Sequence, residues 1–196
     1  MEEVLAFWFG EPPADEADLK AKILRWFRGG PEFDREVTQR FRDTVEAAIR
    51  GELEVWAETP RGRLALVILL DQMARNIFRD HPHCYDGDAR AQKLSLEAFD
   101  QGIDRELDVM ERLFLSMPLL HAEDLTLQKR LSGIAVSLAS GAPPLYQAVC
   151  NGQIEQSAKY MEVISRFGRF PHRNQLLGRT STPEELEFLK SWRREA

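Results

Sequence analysis

Apolar residues recur every three or four positions along most of the chain, which is the spacing of an α-helix with one buried face. The clearest case is the stripe formed by Phe33, Val37, Phe41 and Val45, which predicts a helix from Glu32 to Arg50. No segment alternates apolar and polar residues for long enough to indicate a β-strand. The pattern therefore predicts an all-α protein of about nine helices.

The predicted helices follow one another closely. The fourth, from about Gly62 to Phe78, is apolar on all sides in its middle, which places it at the centre of the fold. We expect Asp88 to cap the fifth helix and Asp104 the sixth, and Pro118 to end the sixth. Gly102 and Gly168 are predicted to follow the ends of the fifth and eighth helices, and Thr182 with Glu185 to form a capping box at the start of the last helix. Short connections favour antiparallel neighbours, arranged as a bundle or as a superhelix of hairpins. With no linker to divide them, residues 1–196 are predicted to form a single domain.

Composition and charge narrow the classes of function. The 196 residues are 43% hydrophobic and 30% charged, which is typical of an ordinary folded domain. A net charge of -6 and a pI near 5.4 oppose binding to nucleic acid or to an anionic membrane, because both need an excess of Lys and Arg. The two cysteines, Cys84 and Cys150, indicate reduced thiols rather than a disulfide framework. The longest apolar run, from Leu64 to Leu70, is too short to span a bilayer, and no export signal is visible, so we expect a cytoplasmic protein.

Three polar clusters interrupt helices that otherwise bury apolar stripes. The first follows the apolar run of the fourth helix, the second surrounds a turn rich in Gly and Pro, and the third precedes the seventh helix. Their members are Asp71, Gln72, Arg75 and Asn76; Arg166, Arg169, His172, Arg173 and Asn174; and His121 with Glu123. Buried polar groups need partners inside the protein or a ligand in a cleft, so each cluster is a candidate site.

The arginine cluster has two interpretations. Four arginines in the segment from Met161 to Arg179 face a single acid, Glu162, so their repulsion must be offset by acids elsewhere or by a bound anion. In the structural interpretation they clamp helices together by pairing with acids such as Asp71 or Glu123. In the functional interpretation the guanidinium groups bind phosphate or carboxylate. The pair of Asp71 and Arg75 is likewise either a structural ion pair or the floor of a site.

Two other groups of residues receive a structural interpretation. The loop from His81 to Asp88 contains His and Cys side chains, but it lacks a distant fourth ligand, so we predict no metal and no cofactor. The aromatic residues near the start of the chain are predicted to fasten the terminal helices to the core rather than to form a ligand cage. These aromatic residues are Phe7, Trp8, Phe9, Trp26 and Phe27.

Three stretches together resemble a known family: Phe7 to Gly10, Leu70 to Asn76, and Arg166 to Arg179. In this combination they resemble the signature of the bacterial domain-of-unknown-function family nine-two-four, which is classed with the tetratricopeptide-like superhelical folds. The resemblance covers nearly the whole chain and implies a stack of antiparallel helical hairpins, but it implies no activity. This sequence departs from the family pattern at Met73-Ala74, where the family has Phe-Pro, and at Tyr160, where a histidine is usual.

Three hypotheses follow for the function. The first is a binding protein that gathers the three clusters around a small anionic ligand or a peptide carboxylate, with Gln72, Asn76 and Asn174 orienting it. The second is an enzyme that acts on a phosphate or carboxyl substrate, with His121 or His172 as general base. The third is a structural protein-interaction module without a small ligand. A homo-oligomer is compatible with each of them.

Overall fold

A computed structural model describes the backbone of residues 1–195 and the side chains of residues 1–192. The described chain forms nine helices and no β-strand, so the all-α prediction is confirmed. Helix α4 is continuous but changes its winding: it is α-helical over Pro60–Val67, π-helical over Ile68–Met73 and α-helical over Ala74–Ile77. The other helices are α1 (Glu2–Phe9), α2 (Glu16–Arg28), α3 (Gly30–Ile49), α5 (Asp88–Gln101), α6 (Val109–Leu120), α7 (Leu125–Gly141), α8 (Gln147–Phe167) and α9 (Pro183–Glu195).

Three predicted helix ends are wrong. Asp88 does not cap α5, because Gly87 occupies the N-cap position and Asp88 lies in the first turn. Asp104 does not cap α6; Asp108 does, in a reciprocal capping box with Glu111. Pro118 does not end α6, because the helix continues for two more residues to Leu120. A proline in the last turn removes only one backbone donor.

Other predicted ends are confirmed. Gly102 and Gly168 follow α5 and α8 in the left-handed conformation, with φ of 73° and 67°. At the start of α9 the Thr182 backbone N–H donates to Glu185 and the Glu185 backbone N–H donates to the Thr182 hydroxyl, which is the predicted capping box. The chain before α9 is therefore held in a defined turn.

Helix α4 lies at the centre of the molecule, as its apolar middle predicts. Every residue from Leu64 to Leu70 is buried, and the helix packs against α1, α3, α5 and α6. The aromatic cluster at the start of the chain closes one end of this core, where the Trp26 indole N–H donates to the Trp8 carbonyl over 2.8 Å. Phe27 is the exception among the predicted core aromatics, because 54% of its surface is exposed.

The second half of the chain adds successive layers. Helix α6 packs on α7 and α7 on α8, joined by the short links 121–124 and 142–146. A second, smaller core of Val163, Ile164 and Phe170 packs against Phe188 and Trp192 of α9, and so attaches α9 to α8 and to the segment after α8. The tetratricopeptide-like superhelix stays a prediction. None of the described helices is long and apolar enough to cross a membrane.

Candidate functional site

Asp71 is the centre of the polar site. It lies in the π-helical part of α4, and its side chain has no exposed surface. Its carboxylate is 2.7 Å from His121 Nδ1 and accepts a hydrogen bond of 2.6 Å from Gln72 Nε2. The guanidinium group of Arg75, one turn further along, lies 3.4 Å from the same carboxylate. Short π-helical segments are frequent at functional sites.

The surroundings of Asp71 keep it ionised. Burial alone would raise the pKa of this carboxyl, but the charges of His121 and Arg75 and the hydrogen bonds from His121 and Gln72 outweigh burial and hold its pKa below its ordinary value. An ionised carboxylate only accepts hydrogen bonds, so the proton between the two side chains belongs to His121 Nδ1.

His121 presents its second ring nitrogen to a cleft. The residue follows directly after α6, and its side chain is 15% exposed. No residue that the structure describes hydrogen-bonds Nε2, and the imidazole lines the cleft wall. With Nδ1 protonated, Nε2 is an acceptor in the neutral ring and a donor in the imidazolium. This nitrogen can therefore accept a proton or bind an anion.

Two arginines share a second carboxylate beside this pair. Arg75 donates two parallel hydrogen bonds of 2.9 and 3.0 Å to Asp88, and a further bond of 3.1 Å to the Cys84 carbonyl. Arg173 lies 3.6 Å from Asp88 and donates to the His121 carbonyl over 3.0 Å. Burial and the neighbouring Arg75 charge lower the pKa of Arg173 from its usual range.

Aromatic rings fix the position of Arg173. Its guanidinium carbon lies 4.8 Å from the ring centre of Tyr85 and 4.7 Å from that of Phe170. His172 lies at the exposed rim, with its ring parallel to that of Trp192. Partial burial and the Arg173 charge lower the pKa of His172 to about 4, so this imidazole is neutral at pH 7 and is a weak base.

The cleft enclosed by these side chains has a volume of about 300 Å³, the lower end of the range for small-molecule sites. Its charged, aromatic and histidine lining residues are Arg75, Arg79, Asp80, Tyr85, His121, Tyr160, His172 and Arg173. Asp71 and Asp88 balance the formal charges of Arg75 and Arg173, and Asp34 pairs with the third arginine, Arg79. Net charge of the acids and arginines therefore does not attract an anion here, and selectivity would come from fixed hydrogen-bond donors.

Four of the predicted site residues make their main contacts elsewhere. Asn76 donates to Asp34 on α3, and Asp34 also pairs with Arg79 just after the end of α4. Arg166 pairs with Glu184, while Arg169 and Asn174 both donate to Glu185. These four contacts match the structural interpretation, because they join α4 to α3, and the last turn of α8 and the segment after it to α9.

Glu123 forms a separate clamp. Its carboxylate accepts two hydrogen bonds from Arg179, of 2.6 and 2.9 Å, and one of 2.7 Å from the Phe170 backbone N–H. It thus ties the turn after α8 to the start of α7. The structure brings together the remaining predicted residues, namely Asp71, Gln72, Arg75, His121, His172 and Arg173.

Sequence reasoning missed Asp88 and the two tyrosines of the cleft. Asp88 precedes a stripe of apolar residues, and this position alone suggested a helix cap. The sequence contained no second feature that pointed to its contact with Arg75 across the loop. Cys84 lines the cleft, but burial raises the pKa of its thiol, which disfavours the thiolate. Within the described residues, no three His, Cys, Asp or Glu side chains are grouped to hold a metal ion.

The fold and the cleft define an all-helical protein that carries a buried Asp–His pair beside two arginines. Residues 4–192 match the family described as "Bacterial protein of unknown function (DUF924)", and the chain belongs to this family. A solved structure of a protein of unknown function from Agrobacterium tumefaciens is similar over 97% of this chain and 96% of that chain, with 34% sequence identity and a TM-score of 0.80. No curated protein matches the chain. The family resemblance in the sequence is therefore confirmed.

Proposed function

We propose that the cleft binds a small organic anion, whose carboxylate or phosphate group lies against His121 Nε2 and Arg173. The observation that carries the proposal is the arrangement of His121: Nδ1 is fixed on the buried Asp71 carboxylate, and Nε2 has no hydrogen-bond partner among the described residues. A ring held in one orientation loses little conformational freedom when a ligand binds.

The partners of the arginines support the same proposal. Asp88 and Asp71 neutralise Arg75 and Arg173 in the absence of ligand, so the site is stable when empty. Arg173 makes one hydrogen bond to a carbonyl and no ion pair within hydrogen-bond distance, so its remaining donors are free for a ligand group.

The test is thermal unfolding of the protein with a panel of carboxylates, phosphorylated metabolites and peptides with a free carboxyl terminus. A ligand at a hundred times its Kd adds ~2.7 kcal/mol, which raises the Tm of a chain of this length by roughly 5–10 °C. Arg173→Gln should abolish the shift. Arg169→Gln is the matched control, because that arginine pairs with Glu185 outside the cleft, and it should keep the shift. If no compound in the panel raises the Tm, the proposal is contradicted.

A second candidate function is hydrolysis with His121 as general base. The alignment of a buried carboxylate, Nδ1 and an unbonded Nε2 favours it, because such a carboxylate holds the imidazole in the tautomer that accepts a proton. His172 is the weaker candidate on account of its lowered pKa. Turnover of a bound ester or phosphate that His121→Gln eliminates, with binding retained, would establish this function. Binding without turnover would contradict hydrolysis and would leave anion binding as the function.

The cellular setting of the proposed activity is the cytoplasm. Cys84 and Cys150 are both buried free thiols, which suits a reducing compartment. The partner is a small anion or peptide, and neither nucleic acid nor a membrane is required. A homo-oligomer stays a prediction, which sedimentation of the purified protein tests.

A further inference from the structure

An apolar groove adjoins the polar cleft. It has a volume of about 330 Å³ and lies between α2, α6 and α8. Its apolar lining residues include Ile23, Phe27, Leu113, Met117, Leu120 and Val149. His121 and Tyr160 line this groove and also the polar cleft. The two spaces therefore border each other at these two side chains.

The rim of the groove exposes large apolar groups. Phe27 is 54% exposed, and its ring is nearly parallel to that of Phe114 at 6.1 Å between ring centres. Apolar surface that borders a cavity is the kind of surface that an apolar ligand removes from water. The two methionines of the lining can adjust to its shape, because their side chains are unbranched and flexible.

We propose that the ligand is amphipathic: its anionic head lies in the polar cleft against His121 and Arg173, and its aliphatic tail lies in the groove. This inference rests on the proposed function and adds the chemical class of the ligand. A single molecule that joins the two parts passes His121 and Tyr160 at the junction. The border that cleft and groove share at His121 and Tyr160 favours one such molecule over a second protein copy. An apolar contact with a second copy would not need charged side chains beside the groove.

The test is calorimetric titration with straight-chain carboxylates from acetate to dodecanoate, each below the concentration at which it forms micelles. Burial of one methylene group contributes about 0.8 kcal/mol, so each added carbon should tighten Kd about fourfold until the groove is filled. Alkyl phosphates of the same lengths test the head group, and the corresponding alcohols should bind at least tenfold more weakly than either.

Two variants separate the head from the tail. Phe27→Ser changes an exposed side chain, so the protein should fold, and it should weaken decanoate binding severalfold while acetate binding stays unchanged. Leu186→Ser is the matched control, because Leu186 is also 54% exposed but lies on α9 away from the groove, and it should change neither affinity. Arg173→Gln should weaken the binding of acids of every chain length.

The outcomes distinguish this inference from the proposed function. Carboxylates that bind with no dependence on chain length would overturn the amphipathic ligand and leave the anion site in place. Alcohols that bind as tightly as the acids would overturn both proposals, since the head group would then contribute nothing. A dimer in sedimentation that Phe27→Ser dissociates would assign the groove to a second copy and would also overturn the inference. Absence of binding by every acid and phosphate would contradict both proposals.

Discussion

Replacement of Asp71 by Asn is the sharpest test of the polar site, because the two side chains have the same shape and differ in charge. The carboxylate accepts hydrogen bonds from His121 and Gln72 and lies near Arg75. A hydrogen bond to a charged group contributes about 1.5–3 kcal/mol and a neutral one about 0.5–1.5 kcal/mol. The two donors bind different oxygens of Asp71, and the amide of asparagine keeps only one oxygen. Asp71→Asn therefore removes one of these bonds, at about 1.5–3 kcal/mol, and weakens the other by about 1–1.5 kcal/mol, so it should lower the free energy of unfolding by about 2.5–4.5 kcal/mol.

Arg75 limits the size of this effect. A buried charge that loses its only partner costs about 3–5 kcal/mol, but Arg75 keeps both hydrogen bonds to Asp88 and is not left unpaired. The assay is urea unfolding at pH 7. Asp100→Asn is the matched control, because Asp100 forms an exposed pair with Arg130, and its loss should cost at most about 1 kcal/mol. Equal, small losses in the two variants would refute the description of Asp71 as a buried charge anchor.

Three further predictions concern the rest of the fold. The hydrogen bonds from its arginine partner lower the pKa of Glu185 to about 2 from an ordinary value of 4.5, so the stability that this carboxylate contributes is present above pH 4.5 and is lost as the pH falls from 4.5 towards 2. Urea unfolding at several pH values should show a shallower acid loss in Glu185→Gln, and an unchanged slope would contradict the prediction. Gly87→Ala should destabilise by about 1–3 kcal/mol in the same assay, because a Cβ there would lie 2.6 Å from the Leu70 carbonyl oxygen. Gly133→Ala is its control, since nothing lies within 4 Å of that Cβ, and a loss equal to that of Gly87→Ala would count against the argument. Cys84 should react with iodoacetamide more slowly than free cysteine at pH 8, because burial raises its thiol pKa; equal rates would show an accessible thiolate.

The helices could be predicted from the sequence because their signals are local. Apolar spacing along α3 and the capping box at Thr182 each involve residues within a few turns of one another. The change of winding within α4 could not be predicted, because the sequence of its π-helical segment has the same apolar character as an ordinary α-helix. The exposure of Phe27 was also hidden, because an aromatic residue at the rim of a groove has the same spacing as one in the core.

The sequence predicted which residue types form the site, but it did not predict which residues pair with one another. The polar stretch after the apolar run of α4 identified Asp71 and Arg75, but the partner of Asp71 is fifty positions later in the chain. Choice among distant partners depends on how helices pack, which local periodicity does not specify. The same limit explains why Asn76 and Arg169 were grouped with the cleft, although each binds an acid on a different surface.

The central claim is that His121 is held by Asp71 and presents Nε2 to an anion, and nitrogen NMR of histidine-labelled protein tests it most directly. The chain has four histidines, and His121→Gln identifies the signal of this one. Without ligand, the account predicts a proton on Nδ1 in a strong hydrogen bond. On addition of octanoate or octyl phosphate, the Nε2 chemical shift should change because the anion contacts this nitrogen, and Arg173→Gln should prevent the change. A His121 signal that carries its proton on Nε2 alone, or that no anion changes, would contradict the account.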